Sequence, residues 1–278
     1  MNIKKLFVLA TLILNLVNSN AAGAQSYRIL ITNDDGIDSP LLAPLAQELS
    51  QISGVEILVS APSENQSGSS QSSIGDPLVV KRVVLEGASV AYSVGGKPAD
   101  AVRFGIVELG KEQDFDLVVS GINRGANVGD ISHLSGTVGA AMEAIYQGVP
   151  AIAVSQEIYD VDTAASAKFV AQLVALYKDR GAPKDTVISI NIPAGKLIGV
   201  AVRPMGDSYF QTSAYQLEQE TEGQLLYERE LNRIESEDPT TDTYAYQQGY
   251  ITITPLKFDW TAHELLDEVR NWDLQLTN

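Results

Sequence analysis

The chain has 278 residues, with 35 acidic side chains against 19 Lys and Arg, a formal charge of −16, two histidines and no cysteine. That composition excludes disulfides and argues against both a Cys- or His-based zinc centre and a basic groove for nucleic-acid polymers. An apolar content of 45 % is ample for a packed core.

The N-terminus carries Lys4 and Lys5, then an apolar stretch from Leu6 to Val17, then the small residues Ala21-Ala22-Gly23-Ala24. This is the three-part layout of a secretory signal peptide, and the stretch is well short of the ~20 residues that span a bilayer. The expectation is a signal over 1–24, cut after Ala24 or Ala21, and an exported protein, periplasmic or secreted, with no membrane attachment after cleavage.

Tyr27 to Thr32 is a short apolar, β-branched run that stops at Asn33-Asp34-Asp35-Gly36, as a buried strand stops at a loop. Ser39-Pro40 then predicts a helix start, with Ser39 as N-cap and Leu41, Leu42, Leu45 and Leu49 as its apolar stripe. Val55 to Ser60 predicts a second strand. A Ser- and Gly-rich loop follows from Ala61 to about Gly75, and loops of that length are often functional.

Leu78 to Leu85 and Ser89 to Val94 predict a hairpin that ends at the turn Gly95 to Pro98, with a helix from Pro98 to Leu109. Phe115 to Ser120 is the next apolar strand and leads into a polar loop, Gly121 to Gly136. A helix over Thr137 to Tyr146, a strand over Ala151 to Ser155, a helix over Thr163 to Asp179 and a strand over Val187 to Ile192 complete the alternation. The pattern is that of a doubly wound, mostly parallel α/β sheet, here assigned to a catalytic core over 25–198.

Beyond it, 199–278 reads as a β-rich appendage. Strand-like pieces stand at Val200 to Arg203 and Tyr250 to Thr254, a charged insert runs from about Gln211 to Thr243, and a last helix covers Ala262 to Trp272. Arms of this kind commonly pair protomers, so a homodimer or homotetramer is expected through it.

Ligand sites in open α/β sheets lie outside the carboxyl ends of the strands. That edge collects Asn33, Asp34 and Asp35 after the first strand, Asn65, Ser67 and Ser69 after the second, and Asn123, Asn127 and Asp130 after a central one. All offer oxygen, which suits magnesium, manganese or calcium. Two adjacent carboxylates repel unless a cation or proton lies between them. These observations do not rank Ser67 above Ser69 or Asn65, and they leave Asn33 without a role. Ser135-Gly136-Thr137 precedes an Ala-rich helix whose free N–H groups favour an anion, which places a substrate phosphate there. His133, two residues upstream of Ser135, is either a proton donor to a leaving alkoxide or a bystander.

Ile31-Thr32-Asn33-Asp34-Asp35-Gly36 resembles the opening motif of the SurE nucleotidases, also called survival protein E. Three more matches follow in order: Ala61-Pro62 with Asn65-Gln66-Ser67-Gly68-Ser69-Ser70, Val119 to Gly129 around Ser120-Gly121-Ile122-Asn123, and Ser135 to Glu143. The resemblance is strong from about Tyr27 to Ser155 and returns at Gly249 to Leu256. It implies that one divalent cation per subunit, Mg2+ or Mn2+, with Ca2+ possible in a structure, is held by Asp34, Asp35, Ser67 and Asn123. Asp34, Asp35 and Asn123 would be catalytic. Ser67, Gly68, Ser69, Asn127, Ser135, Gly136 and Thr137 would face the substrate phosphate. The implied reaction is hydrolysis of nucleoside 5′- or 3′-monophosphates to nucleoside and phosphate. Lys97 stands where the family usually has Thr, either as a cation near the phosphate or as a surface lysine.

Three other classes compete. A receiver-type domain needs an aspartate after its central strand, where this chain has Ser120-Gly121-Ile122-Asn123, and a haloacid-dehalogenase-like phosphatase wants Asp-x-Asp rather than adjacent acids. A non-catalytic extracytoplasmic binder of metal or nucleotide could use every one of the same ligands.

Overall fold

The computed structural model describes residues 26–75 and 77–276, so the expected signal segment lies outside the described residues. A nine-stranded sheet runs in the order β3-β4-β2-β1-β5-β6-β7-β11-β8. Its members are β1 (Tyr27–Thr32), β2 (Val55–Pro62), β3 (Val80–Val83), β4 (Val90–Val94), β5 (Leu117–Arg124), β6 (Ala151–Gln156), β7 (Thr186–Ile192), β8 (Gly199–Val202) and β11 (Tyr250–Lys257). The six strands from β4 to β7 in that order are parallel, while β3 and β11 run antiparallel to their inner neighbours.

Alternation along the central strands sends side chains to two cores. Ile29 and Ile31 of β1, with Leu117 and Val119 of β5, pack under α1 (Leu42–Ser50) and α4 (Thr163–Arg180). Leu30 and Val118 point the other way, under α2 (Pro98–Phe104) and α3 (Gly136–Tyr146). Strands buried on both faces read as continuous apolar runs, which is why they were visible in the sequence.

After β1 the chain steps outward to β2 on one side, and after β4 it returns to lay β5 on the other. The carboxyl ends of β1 and β5 therefore flank the switch point, with Thr32 opposite Ser120 in register.

Several elements differ from expectation. Helix α1 starts at Leu42 rather than Pro40, because Ser39 forms a preceding turn: its carbonyl accepts the Leu42 N–H at 3.2 Å and its hydroxyl the Leu41 N–H at 3.4 Å. The central strand continues to Arg124, four residues into the expected loop, and a 3-10 segment spans Gly129–Leu134. The C-terminal part divides. Strands β8 and β11 join the main sheet, while the charged insert forms a separate antiparallel hairpin, β9 (Phe210–Thr221) and β10 (Gln224–Arg233), exposed along its whole length. Two short helices follow, α5 (Asp242–Gln247) and α6 (Leu266–Arg270).

Candidate active site

The turn after β1 is closed by Asn33, whose Nδ2 donates to the Gly36 carbonyl at 2.8 Å while its Oδ1 accepts the Gly36 N–H at 3.1 Å. Gly36 adopts φ +97°, and a Cβ there would meet the Glu64 carbonyl carbon at 3.0 Å. Asn33 thus gains a structural role, and the turn is held against the loop after β2.

Asp34 and Asp35 meet different partners. Asp34 is 3 % exposed. Its Oδ1 accepts the Thr137 hydroxyl at the start of α3, and its backbone carbonyl accepts the Gln66 N–H at 2.7 Å. Half-buried Asp35 accepts the Arg124 N–H on Oδ2 at 3.0 Å and the Asn65 carboxamide on Oδ1 at 3.3 Å. The two acids bind together the ends of β1, β2 and β5 and the N-terminus of α3.

Burial pushes the Asp34 carboxyl up to about 6, against the Thr137 hydroxyl and with help from the neighbouring Asp35 charge. Burial also raises Asp35, opposed by the Arg124 N–H. Two adjacent acids, one buried and one half-buried, both resisting ionisation, are relieved by a cation.

The surrounding donors fit one. A Cβ on Gly136 would lie 2.7 Å from Ser69 Oγ, 2.8 Å from Asp34 Cβ and 2.9 Å from Asp34 Oδ2, so only glycine leaves this junction room. Ser69 Oγ is buried there without a hydrogen-bond partner among the described residues. A buried hydroxyl without a protein partner beside a carboxylate fits the donor set of a bound cation. The donors are carboxylates, hydroxyls and carboxamides, a hard set suited to Mg2+, Mn2+ or Ca2+. Among the described residues no three His, Cys, Asp or Glu side chains gather anywhere, so any ion here depends on Ser and Asn oxygens beside the acidic pair.

The other expected residues are placed as follows. Ser67 is exposed on the loop, its N–H bonded to Asn65 Oδ1 at 3.0 Å, which makes Asn65 a bridge between that loop and Asp35. Gly68 takes φ +77° in open space. Buried Asn123 donates to the Gly125 carbonyl at 2.6 Å, and its successor Arg124 supplies the N–H on Asp35. Ser135 caps α3, accepting the Val138 N–H at 3.1 Å.

Asn127 is held apart, its N–H on Asn191 Oδ1 at 2.7 Å and its carboxamide on Ser155 Oγ at 2.9 Å, over the ends of β7 and β6. Asp130 binds Ser208. Exposed His133 packs edge-on against Trp260 at 5.9 Å between ring centroids. Sequence reasoning missed Gln66, Asn65 as a bridge, and the Arg124 amide. The last leaves no trace in side-chain chemistry, whereas Asn65 carried the signal of an Asx residue within a loop of small residues.

Fold and site together define a class: doubly wound α/β proteins with an acidic, oxygen-lined centre at the switch point of the sheet, beside a helix N-terminus of the kind that receives anions. The family model for survival protein SurE matches residues 29–212, and the chain belongs to the SurE family. It is 38 % identical over 250 residues to the 5′-nucleotidase SurE of Clostridium beijerinckii, across 87 % of this chain and 97 % of that one. The 5′-nucleotidase SurE of Pseudoalteromonas atlantica is 37 % identical over 250 residues, covering 88 % and 98 %. The crystal structure of the SurE protein from Aquifex aeolicus superposes with a TM-score of 0.76 at 29 % identity, over 89 % of this chain and 100 % of that one.

Proposed function

We propose that this chain is a divalent-metal-dependent 5′-nucleotidase, a phosphomonoesterase that converts nucleoside 5′- or 3′-monophosphates to nucleoside and phosphate. The observation that carries the reading is the Asp34–Thr137 contact, which brings the acidic pair and the N-terminus of α3 into one site. The relatives named 5′-nucleotidase support it across most of the chain.

Asp34, Asp35, Ser67 and Asn123 would hold the ion. When bound, Mg2+ or Mn2+ supplies a water of lowered pKa and neutralises charge on the phosphoryl group. The protein's share is positioning. Thr137 and Arg124 fix the two carboxylates, Asn33 fixes the turn that carries them, and the Ser67-Gly68-Ser69 loop with Ser135 and Gly136 frames the phosphate. Asn127, held by Asn191 and Ser155 over the ends of β7 and β6, would face the phosphate from that side. Among the described residues the His133 side chain hydrogen-bonds to neither aspartate; its ring packs on Trp260.

The test is phosphate release from a panel of nucleoside monophosphates, before and after chelation, with magnesium or manganese restored. Release that vanishes and returns supports the reading. Release that survives chelation, or is absent with metal present, overturns it.

Two further proposals concern the whole molecule. Among the described residues the hairpin β9–β10 pairs only within itself, and it exposes Tyr215, Leu217, Leu226 and Tyr227, which suits association into a homodimer or homotetramer. The basic, apolar and small-residue order of residues 1–24 suits export to the periplasm or medium, to be read from the N-terminal sequence of the mature protein.

A further inference from the structure

Lys97 stands in the turn after β4, with φ −78° and ψ 165°, and its backbone N–H is fixed by Asp100 Oδ2 at 2.9 Å at the start of α2. From that anchored stem the ammonium reaches the loop after β2, donating to the Gln66 carboxamide oxygen at 2.7 Å. Gln66 is the residue before Ser67, and its own N–H bonds the Asp34 carbonyl at 2.7 Å. The lysine nitrogen is therefore two contacts from the acidic pair.

Among the described residues Lys97 forms no ion pair, although its side chain is half-buried. An ammonium has three donors, and a single neutral acceptor leaves most of that capacity and all of its charge uncompensated. Other cationic groups nearby are committed elsewhere. Arg103 is paired with buried Glu143 at 3.0 Å, and the Arg124 guanidinium lies over the Tyr159 ring at 5.9 Å. In a chain of formal charge −16, an unpaired cation held over the Ser- and Gly-rich loop is placed to receive an anion.

We propose that Lys97 is a phosphate-contacting residue: its ammonium leaves the Gln66 oxygen and binds a non-bridging oxygen of the substrate's phosphate, and of the product phosphate, at the Ser67–Ser69 loop. This rests on the nucleotidase reading for its substrate. Its ligand chemistry, a phosphate dianion, can be tested apart from turnover. A lysine acts here as a point charge on a flexible stem, able to follow the phosphate as the ester bond is lost.

The experiment is calorimetric binding of inorganic phosphate to the manganese-loaded full-length mature protein, alongside KM and kcat on a nucleoside 5′-monophosphate. Lys97→Met should weaken phosphate binding and raise KM by about tenfold or more, the scale of one charge-assisted hydrogen bond, with manganese affinity and melting temperature unchanged. Lys97→Arg should restore most of the affinity. Gln66→Ala, which removes the tether and keeps the ammonium, should hold phosphate at least as tightly as the unaltered protein.

Unchanged phosphate affinity in Lys97→Met overturns the proposal. So does an equal loss in Gln66→Ala, which would make the contact a latch for the loop. Absence of phosphate binding in the unaltered protein would overturn it as well. Phosphate binding that depends on Lys97 in a protein without turnover would instead refute the nucleotidase reading and leave this one standing.

Discussion

The Thr137 hydroxyl donates to Oδ1 of Asp34 although the two residues are 103 positions apart in the chain. Neither group is exposed, so the contact joins the first loop of the sheet to the helix that follows its central strand. A hydrogen bond to a buried charged group is worth about 1.5–3 kcal/mol. Thr137→Val should lower the melting temperature at neutral pH and reduce phosphate release, while Thr137→Ser, which keeps the hydroxyl, should retain most of both. Equal behaviour of the two variants would remove the hydroxyl from the account.

Asp34→Asn should separate stability from activity. The amide can still accept from Thr137, but it neither ligates strongly nor carries charge. Phosphate release should fall by about two orders of magnitude or more. In chelator at pH 7.5 the variant should melt above the unaltered protein, because an ionised carboxylate buried at 3 % exposure is no longer imposed on the fold. Melting curves and a phosphate assay on the same preparation decide it.

A pH dependence follows from the same carboxyl. Its folded value of about 6 stands above the unfolded value of 3.8, so protonated Asp34 favours the fold. That contribution is fully present below pH 3.8 and is lost as pH rises through 6. The difference is worth on the order of 3 kcal/mol. A cation removes the penalty of the ionised form. The rise in melting temperature produced by added manganese should therefore be larger at pH 7.5 than at pH 5.

Gly136 and Gly139 should respond differently to alanine. The first would push on Ser69 Oγ and Asp34 at 2.7–2.9 Å, so Gly136→Ala should damage metal binding more than folding. A Cβ on Gly139 would meet the Ser70 carbonyl oxygen at 2.1 Å, where backbone must move, and Gly139→Ala should cost about 1–3 kcal/mol of stability. Calorimetric manganese titration beside denaturant unfolding separates the two outcomes.

Replacing residues 211–232 by a short turn should leave the nine-stranded sheet intact, because among the described residues β9 and β10 pair as strands only with each other. If the hairpin carries the proposed assembly, light scattering should report an oligomer for the full chain and a monomer for the shortened one. An unchanged oligomer would move the interface elsewhere.

The central strands were legible because their apolar runs are buried on both faces, and the turns were legible from Asn33 to Gly36 and Gly95 to Pro98. Helix α1 began later than Ser39-Pro40 suggested, since Ser39 spends its hydroxyl and carbonyl on a turn that looks identical in sequence to a cap. The hairpin was opaque for a physical reason. No side of Phe210–Thr221 or Gln224–Arg233 is buried within the protomer, so no core imposed an alternation on it. In the site, the strand-end acids were readable and their partners were not. The Arg124 amide on Asp35 and the Thr137 hydroxyl on Asp34 depend on the register of β1 against β5, which local patterns do not encode.

That register also sets an order in time. Both aspartates emerge early in synthesis, yet the amide that orients Asp35 is made 89 residues later and the hydroxyl that orients Asp34 later still. A nascent chain that ends before Thr137 carries the acids as an unscreened, unoriented pair, because contacts this distant close only when the intervening chain has folded. Metal capture would then be a checkpoint on the finished centre of the sheet, and a chain truncated upstream of α3 would be a poor scavenger of ions despite holding both carboxylates.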